Sequence, residues 1–405
     1  MKFASADIPA CKGTIKAANE DFRVFELPLY EFSGTGTHTL IHVEKSGVGT
    51  FEAIRRICDA LKFPERDVGS AGLKDARGVT RQWLSFEHVP PEKFQQLDVP
   101  RVKVLETTRH GNKLKRGHLR GNAFEIVLRD VAPGDVPHAA ATLQLLARRG
   151  VPNWYDSQRF GRRGDNARCG LAILRADWQA YFDTMLGDPA TEADPETRDA
   201  RTAYLQAGPA AALQLWPRRQ NNERAALKAV LDFGANDRAL RKLPQKLKLL
   251  QVSSVQSLLF NRVLEQRFED YDRVWNGDIC RKDNGADFLV TDAAADQPRA
   301  EAFDISPTGP IFGHKMLQPQ GRELELESAV LAAEQLTPQA FDTGRGLSQK
   351  GDRRPLRFRA ADTQTEYADG NLTLRFSLPK GCYATVLLRE ITKSGEDLAF
   401  SGHND

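Results

Sequence analysis

Alternation of apolar and polar residues with a period of two runs through Asn122–Val131 (NAFEIVLRDV) and returns at Asn371–Pro379 (NLTLRFSLP), beyond a long stretch of different character. Period two marks a strand with one buried face. The intervening stretch is Ala-rich, charged and punctuated by Pro. It contains one clear amphipathic helix, Leu249–Phe268, with Val252, Val255, Leu259 and Val263 on its apolar stripe. Its Gly- and Pro-rich run Asp304–Met316 (DISPTGPIFGHKM) reads as a loop. Strand-like ends around a helical middle predict a discontinuous domain, residues 1–152 with 345–405, and a mainly helical domain, 153–344, inserted within it. A chain of 405 residues is long enough for both cores.

The first part reads as mixed α and β. His38–Lys45 and Gln82–Val89 suit strands. Thr50–Phe63 suits a helix with Phe51, Ile54, Cys58 and Leu61 on its stripe and Thr50 as N-cap. Pro137–Gly150 is a second helix, stopped by Gly150. In the Asn122 strand the period places Asn122, Phe124, Ile126 and Leu128 on one side, so an amide and an aromatic ring share the face where the apolar run begins. Gly381–Thr392 (GCYATVLLREIT) follows the last strand as a small-residue turn and an apolar run of strand-like texture.

Several function classes are disfavoured. No apolar run approaches the roughly 20 residues of a membrane span, and the first residues lack the apolar core of a signal peptide, so a cytoplasmic protein away from membranes is expected. The five cysteines are scattered without a C-x-x-C pair, and the histidines show no H-E-x-x-H spacing. No metal site is expected. Net charge is only +3, but the cations are clustered. Arg101–Arg120 carries seven Lys or Arg and two His against Glu106; Ser157–Arg168 (SQRFGRRGDNAR) and Gly344–Arg359 (GRGLSQKGDRRPLRFR) follow the same pattern. Three such patches predict one concentrated face for a polyanion, against the alternative that each is a solvated face.

Gly69–Trp83 (GSAGLKDARGVTRQW) sets Asp75 beside Lys74, with Arg77 and Arg81 close behind, on a small-residue turn before a strand. A β-turn with a solvated Lys–Asp pair is one reading. The other is an anion presented to a polyanion by the cations that attract it. Converging cations would also favour the ionised carboxylate.

Seven segments, in order, resemble the TruD family of tRNA pseudouridine synthases: GTIKAANEDFRVFE, AGLKDARGVTRQW, RGNAFEIVLRDV, VPNWYDSQRFG, QSLLFNRVL, PTGPIFG and LPKGCYATVLLRE. The resemblance spans nearly the whole chain. It implies an α+β fold, with a pseudouridine-synthase catalytic domain built on a mixed, largely antiparallel sheet and an inserted, mainly helical TRUD domain. It implies an isomerase that converts a uridine of tRNA, at position 13 in the bacterial members, to pseudouridine without cofactor or metal. A monomer is expected. Asp75 would be the catalytic aspartate acting on a flipped-out base, and Lys16, Phe22, Asn122 and Phe124 would bind the substrate. Tyr383 would join them at the substrate; it stands where bacterial members usually carry Phe, and its phenol adds a donor there, for proton handling or for stacking as Phe would. Asn19 replaces a frequent Pro, at a cost only in rigidity. Glu20, Gln82 and Arg159 match motif positions whose roles the residues do not reveal. The competing class is a non-catalytic RNA-binding protein or chaperone. A glycoside hydrolase would need a second carboxylate, and the sequence shows none near Asp75.

Overall fold

The computed structural model describes residues 1–344 and 346–394. Residues 395–405 of the expected discontinuous domain, and Arg345 of the third cationic cluster, lie outside the described residues. The chain divides into two compact units, Phe3–Val151 with residues 358–394, and Pro152–Arg357 with Met1–Lys2.

The first unit is organised by one sheet. Its long strands, in chain order, are β1 (Phe22–Pro28), β2 (His38–Ser46), β3 (Val79–Glu87), β4 (Val102–His110), β5 (Leu119–Arg129), β6 (Ala361–Ala368) and β7 (Asn371–Pro379). Their order across the sheet is β6-β7-β5-β1-β3-β2-β4, with short strands Thr14–Ile15 beside β5 and Gly69–Ser70 beside β3. Only β1 and β3 run parallel; the other pairs are antiparallel, which makes the sheet mixed and largely antiparallel, as expected. The two alternating stretches that frame the sequence are neighbours: Phe376 faces Phe124, Leu374 faces Ile126 and Leu372 faces Leu128. All six side chains are buried.

Helix α1 (Thr50–Leu61) packs Ala53, Ile54, Ile57 and Cys58 against Ile41, Val43, Leu84 and Phe86 of the sheet. The expected stripe is therefore rotated. Phe51 is 63 % exposed, and the N-cap is Gly49 rather than Thr50. Helices α2 (Val136–Arg149) and α3 (Ala384–Thr392) pack on each other. The apolar run at 384–391 is thus a helix: a run that is apolar throughout has no period to distinguish the two structures.

The second unit begins with helices Asn166–Leu174, Trp178–Leu186, Pro195–Leu215, Asn221–Phe233, Asp237–Lys242 and Gln245–Gln266. It then adds a four-stranded antiparallel sheet in the order Asp287–Leu289, Ile279–Lys282, Ile305–Ile311, Asp352–Pro355. The expected loop at 304–316 is largely this third strand. Pro is tolerated there because the strand changes partner midway. Ile305, Ser306 and Pro307 pair with 280–282, and Thr308 to Ile311 pair with 352–355. Gly309 leaves room for Phe260 and Leu356, which a Cβ would meet at 3.1 and 2.9 Å. This pairing also holds residues 346–357 in the second unit, so the chain returns to the first unit at Phe358 and not at 345. Among the described residues no helix is long and apolar enough to cross a membrane.

Candidate active site

The turn carrying Asp75 is fastened from below, and its carboxylate is left exposed. Lys45, at the buried end of β2, donates its ammonium to the carbonyls of Val48 at 2.6 Å, Asp75 at 3.1 Å and Lys74 at 3.4 Å. The Lys74 N–H donates to the Thr50 hydroxyl at 2.8 Å, and that hydroxyl donates to Gln82 Oε1 at 2.9 Å. Thr50 is thus spent on the turn instead of capping its own helix. Gly78 closes the turn with φ +140, and a Cβ there would lie 2.5 Å from the Phe22 carbonyl oxygen. Its N–H donates to Asn19 Oδ1 at 3.2 Å. Asn19 therefore ties the N-terminal segment to the turn, a contact that Pro could not make.

Lys74 does not serve Asp75. Its ammonium donates to Asn122 Oδ1 at 2.6 Å and pairs with Glu26 Oε2 at 3.1 Å, with both side chains of the ion pair buried. Glu26 and Asn122 are cross-strand partners on β1 and β5, and the Trp83 N–H donates to Glu26 Oε1 at 3.1 Å. Burial pushes the Glu26 carboxyl up, while Lys74 and the Trp83 N–H pull it back. Sequence reasoning missed Glu26, although the period of β1 (Phe22, Val24, Glu26) places it on a buried face where a carboxylate needs a partner. Arg81 is also engaged elsewhere, with Glu44 at 2.7 Å.

Two cations that feel the charge of Asp75 are Lys16 and Lys45. Burial pulls the Lys16 ammonium down to about 8 against the opposing pull of Asp75, and Arg77 adds to the lowering. Burial likewise brings Lys45 down to about 8, opposed by Asp75 and reinforced by Lys74. Lys16 sits at φ 59 in the left-handed region, with its ammonium 3.8 Å from the centroid of the Phe22 ring. The short turn Asn19–Asp21 leads into Phe22, and Asp21 anchors it through a fork of hydrogen bonds from Arg129. That guanidinium holds the Asp21 carboxyl below the usual carboxylate range.

The expected aromatic residues form the floor of this arrangement. Phe124 is buried; Phe376 stacks on it at 5.3 Å and Phe22 meets it edge-on at 6.3 Å. Phe22 and Phe124 thus pack in the core beneath the turn, where Phe22 also lies against Gly78. Asn122 is half-buried with its carbonyl oxygen held by Lys74. Tyr383, half-buried, stands at the N-cap of α3. Gln82 is buried, Glu20 is exposed, and Arg159 belongs to the second unit, donating to Ser257 at 3.0 Å.

The three cationic clusters part ways. In the second, Arg162 pairs with Glu192 at 2.7 Å, Arg168 with Asp188 at 2.9 Å, and Arg163 with Asp165. In the third, Arg353 is buried against Glu327 at 2.7 Å and Arg357 is buried on the Ala300 carbonyl. The first stays open: among the described residues, none of the seven Lys and Arg in 101–120 pairs with a carboxylate, and Lys103, Lys115, Arg116 and Arg120 are exposed.

The exposed carboxylate, two cations of lowered basicity and an adjacent cationic loop suit chemistry on a polyanion. Comparison with known proteins agrees. The family model described as tRNA pseudouridine synthase D (TruD) matches residues 1–391. A Geobacter sulfurreducens tRNA pseudouridine synthase D is 45 % identical over 397 residues, covering 97 % of each chain. One from an Anaeromyxobacter species is 38 % identical over 97 % of this chain and 96 % of its own. The crystal structure of a Methanosarcina mazei protein, provisionally described as tRNA pseudouridine synthase D (TruD), superposes with a TM-score of 0.86 at 26 % identity. It covers 98 % of this chain and 97 % of its own.

Proposed function

The chain belongs to the TruD family of tRNA pseudouridine synthases, and from that premise we propose that it isomerises uridine 13 of tRNA to pseudouridine with Asp75 as the catalytic carboxylate. The sheet unit is then the catalytic domain and the second unit the inserted TRUD domain. The reaction breaks the C1′–N1 bond, turns the uracil, joins C5 to C1′ and releases the C5 proton. A carboxylate can assist either by attack that leaves a covalent intermediate or by stabilising an oxocarbenium-like or glycal route. A uridine within folded RNA must leave its stack to meet Asp75.

The observation that carries this reading is the division of labour around the turn. Glu26, Asn122, Lys74, Thr50 and Lys45 fix the backbone, and Asp75 is the one carboxylate of the turn, exposed on it beside Arg77. Lys16 and Lys45 add positive charge to the turn. Such preorganisation removes the reorganisation that a mobile carboxylate would undergo during reaction. Glu26 is a second carboxylate near the turn, but Lys74 and the Trp83 N–H occupy it, which disfavours a two-carboxylate hydrolysis.

The test is tritium release from tRNA labelled at uridine C5, with the modified position mapped in total tRNA. Wild type should release tritium and mark one site, whereas Asp75→Asn should lose about a thousandfold or more of the rate. Retained release by Asp75→Asn would refute the assignment of Asp75. Binding without any release by wild type would favour the non-catalytic RNA-binding class.

A further inference from the structure

Four of the eight histidines of the chain gather on the first unit with Tyr30, Phe32 and Trp83, beside the cationic loop 111–118 that joins β4 to β5. Apart from the Trp83 N–H, which holds Glu26, and the charge of the loop, the side chains gathered here have no part in the machinery described above. Tyr30 stacks on His110, with ring centroids 5.2 Å apart and planes inclined by 28°. Its hydroxyl lies 3.1 Å from His118 Nδ1. The Ser33 N–H donates to His110 Nδ1 at 3.3 Å, which places the proton of the neutral ring on Nε2. Tyr30, His38, His110, His118, Lys113 and Lys115 line a cleft of about 750 Å³, to which Glu31 adds one carboxylate. That volume lies within the range of small-ligand sites.

The loop is bonded to both arms of the candidate active site. Gly117 N–H donates to the Ala71 carbonyl at 2.8 Å, on the segment leading to Asp75. Lys380, three residues before Tyr383, donates its ammonium to the Gly117 carbonyl at 3.1 Å. Leu114 N–H donates to Ser85 Oγ at 2.9 Å, and a Cβ on Gly69 would lie 2.4 Å from the Leu114 carbonyl oxygen. The loop, the cleft and the Asp75 turn are therefore built as one piece.

Half-buried aromatic rings, imidazole edges and ammonium groups that meet no carboxylate among the described residues (Lys113 donates to the Arg66 carbonyl at 3.1 Å) are what a nucleotide needs: a face for the base, donors for its edge and charge for its phosphate. We propose that this cleft holds a second, unpaired nucleotide of the RNA. Its base lies against the Tyr30–His110 pair and its phosphate at Lys115 and Lys113, while the target uridine occupies Asp75. The inference rests on the reading of the protein as an RNA-modifying enzyme. It adds a recognition site that would favour an RNA with an unstacked base at a fixed span from the modified one.

The experiment measures Kd of the full-length protein for a tRNA transcript, alongside photo-crosslinking to a transcript carrying 4-thiouridine. Tyr30→Leu should weaken binding by about tenfold, the range for losing one stacked base, and Tyr30→Phe should restore most of it. Lys115→Glu, at an exposed position, should weaken binding more than Lys93→Glu, an equal charge change on an exposed helix elsewhere. Crosslinks should map to Tyr30 or to residues 110–118. Variants that bind like wild type, a Lys115→Glu effect no larger than that of Lys93→Glu, or crosslinks absent from this loop would each overturn the proposal. These readouts need no turnover, so a wild type that forms no pseudouridine would sink the parent reading separately.

Discussion

Arg101–Arg120 and Ser157–Arg168 look alike on paper, each dense in Lys and Arg with few acids between them, yet the protein uses them in opposite ways. The second run is neutralised from a distance in sequence. Glu192 and Asp188 reach Arg162 and Arg168, and the third cluster likewise loses Arg353 to Glu327 inside the core. Those cations hold the second unit together. Among the described residues the first run meets no such acids, and Lys103, Lys115, Arg116 and Arg120 stay exposed. Local cation density therefore predicts an interface only where the fold brings no carboxylates to it. The expectation of three converging patches reduces to one.

This contrast can be broken most severely at Arg353. Replacing it with Met leaves Glu327 buried without its partner, and unfolding by denaturant should show a loss of about 3–5 kcal/mol. A loss near zero would mean that the third cluster is not structural. Next in size, the triple charge reversal of Lys113, Lys115 and Arg116 should leave stability within about 0.5 kcal/mol but weaken tRNA binding by one to two orders of magnitude. It should also flatten the slope of log Kd against log salt by about one for each phosphate contact removed. An unchanged slope would remove the first cluster from the interface.

Lys16, half-buried, and Lys45, buried, fall between these extremes, beside a residue, Asp75, that stays exposed. Lys16 and Lys45 are both lowered to about 8. Raising pH through that value removes positive charge from the turn, so kcat/KM should decline severalfold above about pH 8. Lys16→Met should lower the plateau and weaken that alkaline limb. A profile flat to pH 10 would show that neither ammonium matters to the reaction. The smallest effect is expected at Arg162, whose side chain is 65 % exposed. Arg162→Ala should cost at most about 1 kcal/mol and leave the salt slope of RNA binding unchanged; a changed slope would return the second cluster to the interface.

Much of the sheet was legible because strand period is a local property. Phe124, Ile126 and Leu128 face inward as their spacing requires, and β7 takes the bounds its alternation predicts. The candidate site was legible in part. Asp75 could be found on its turn, and Asn122 does meet that turn, through Lys74. Phe51 shows where spacing misleads, because a helical stripe admits either rotation. The strand at 305–311 was hidden because Pro and Gly are ordinarily strand breakers, and only its switch between two partners accommodates them.

The sequence by itself determined which side chains alternate inward, which turn carries the lone carboxylate and which family the chain resembles. Only the tertiary structure decided which cations stay charged toward solvent, that Lys74 belongs to Glu26 and Asn122, and that Lys16 and Lys45 attend Asp75. The reason is physical. Periodicity depends on neighbours along the chain, whereas the fate of a charge depends on the burial and the opposite charges that distant segments bring to it.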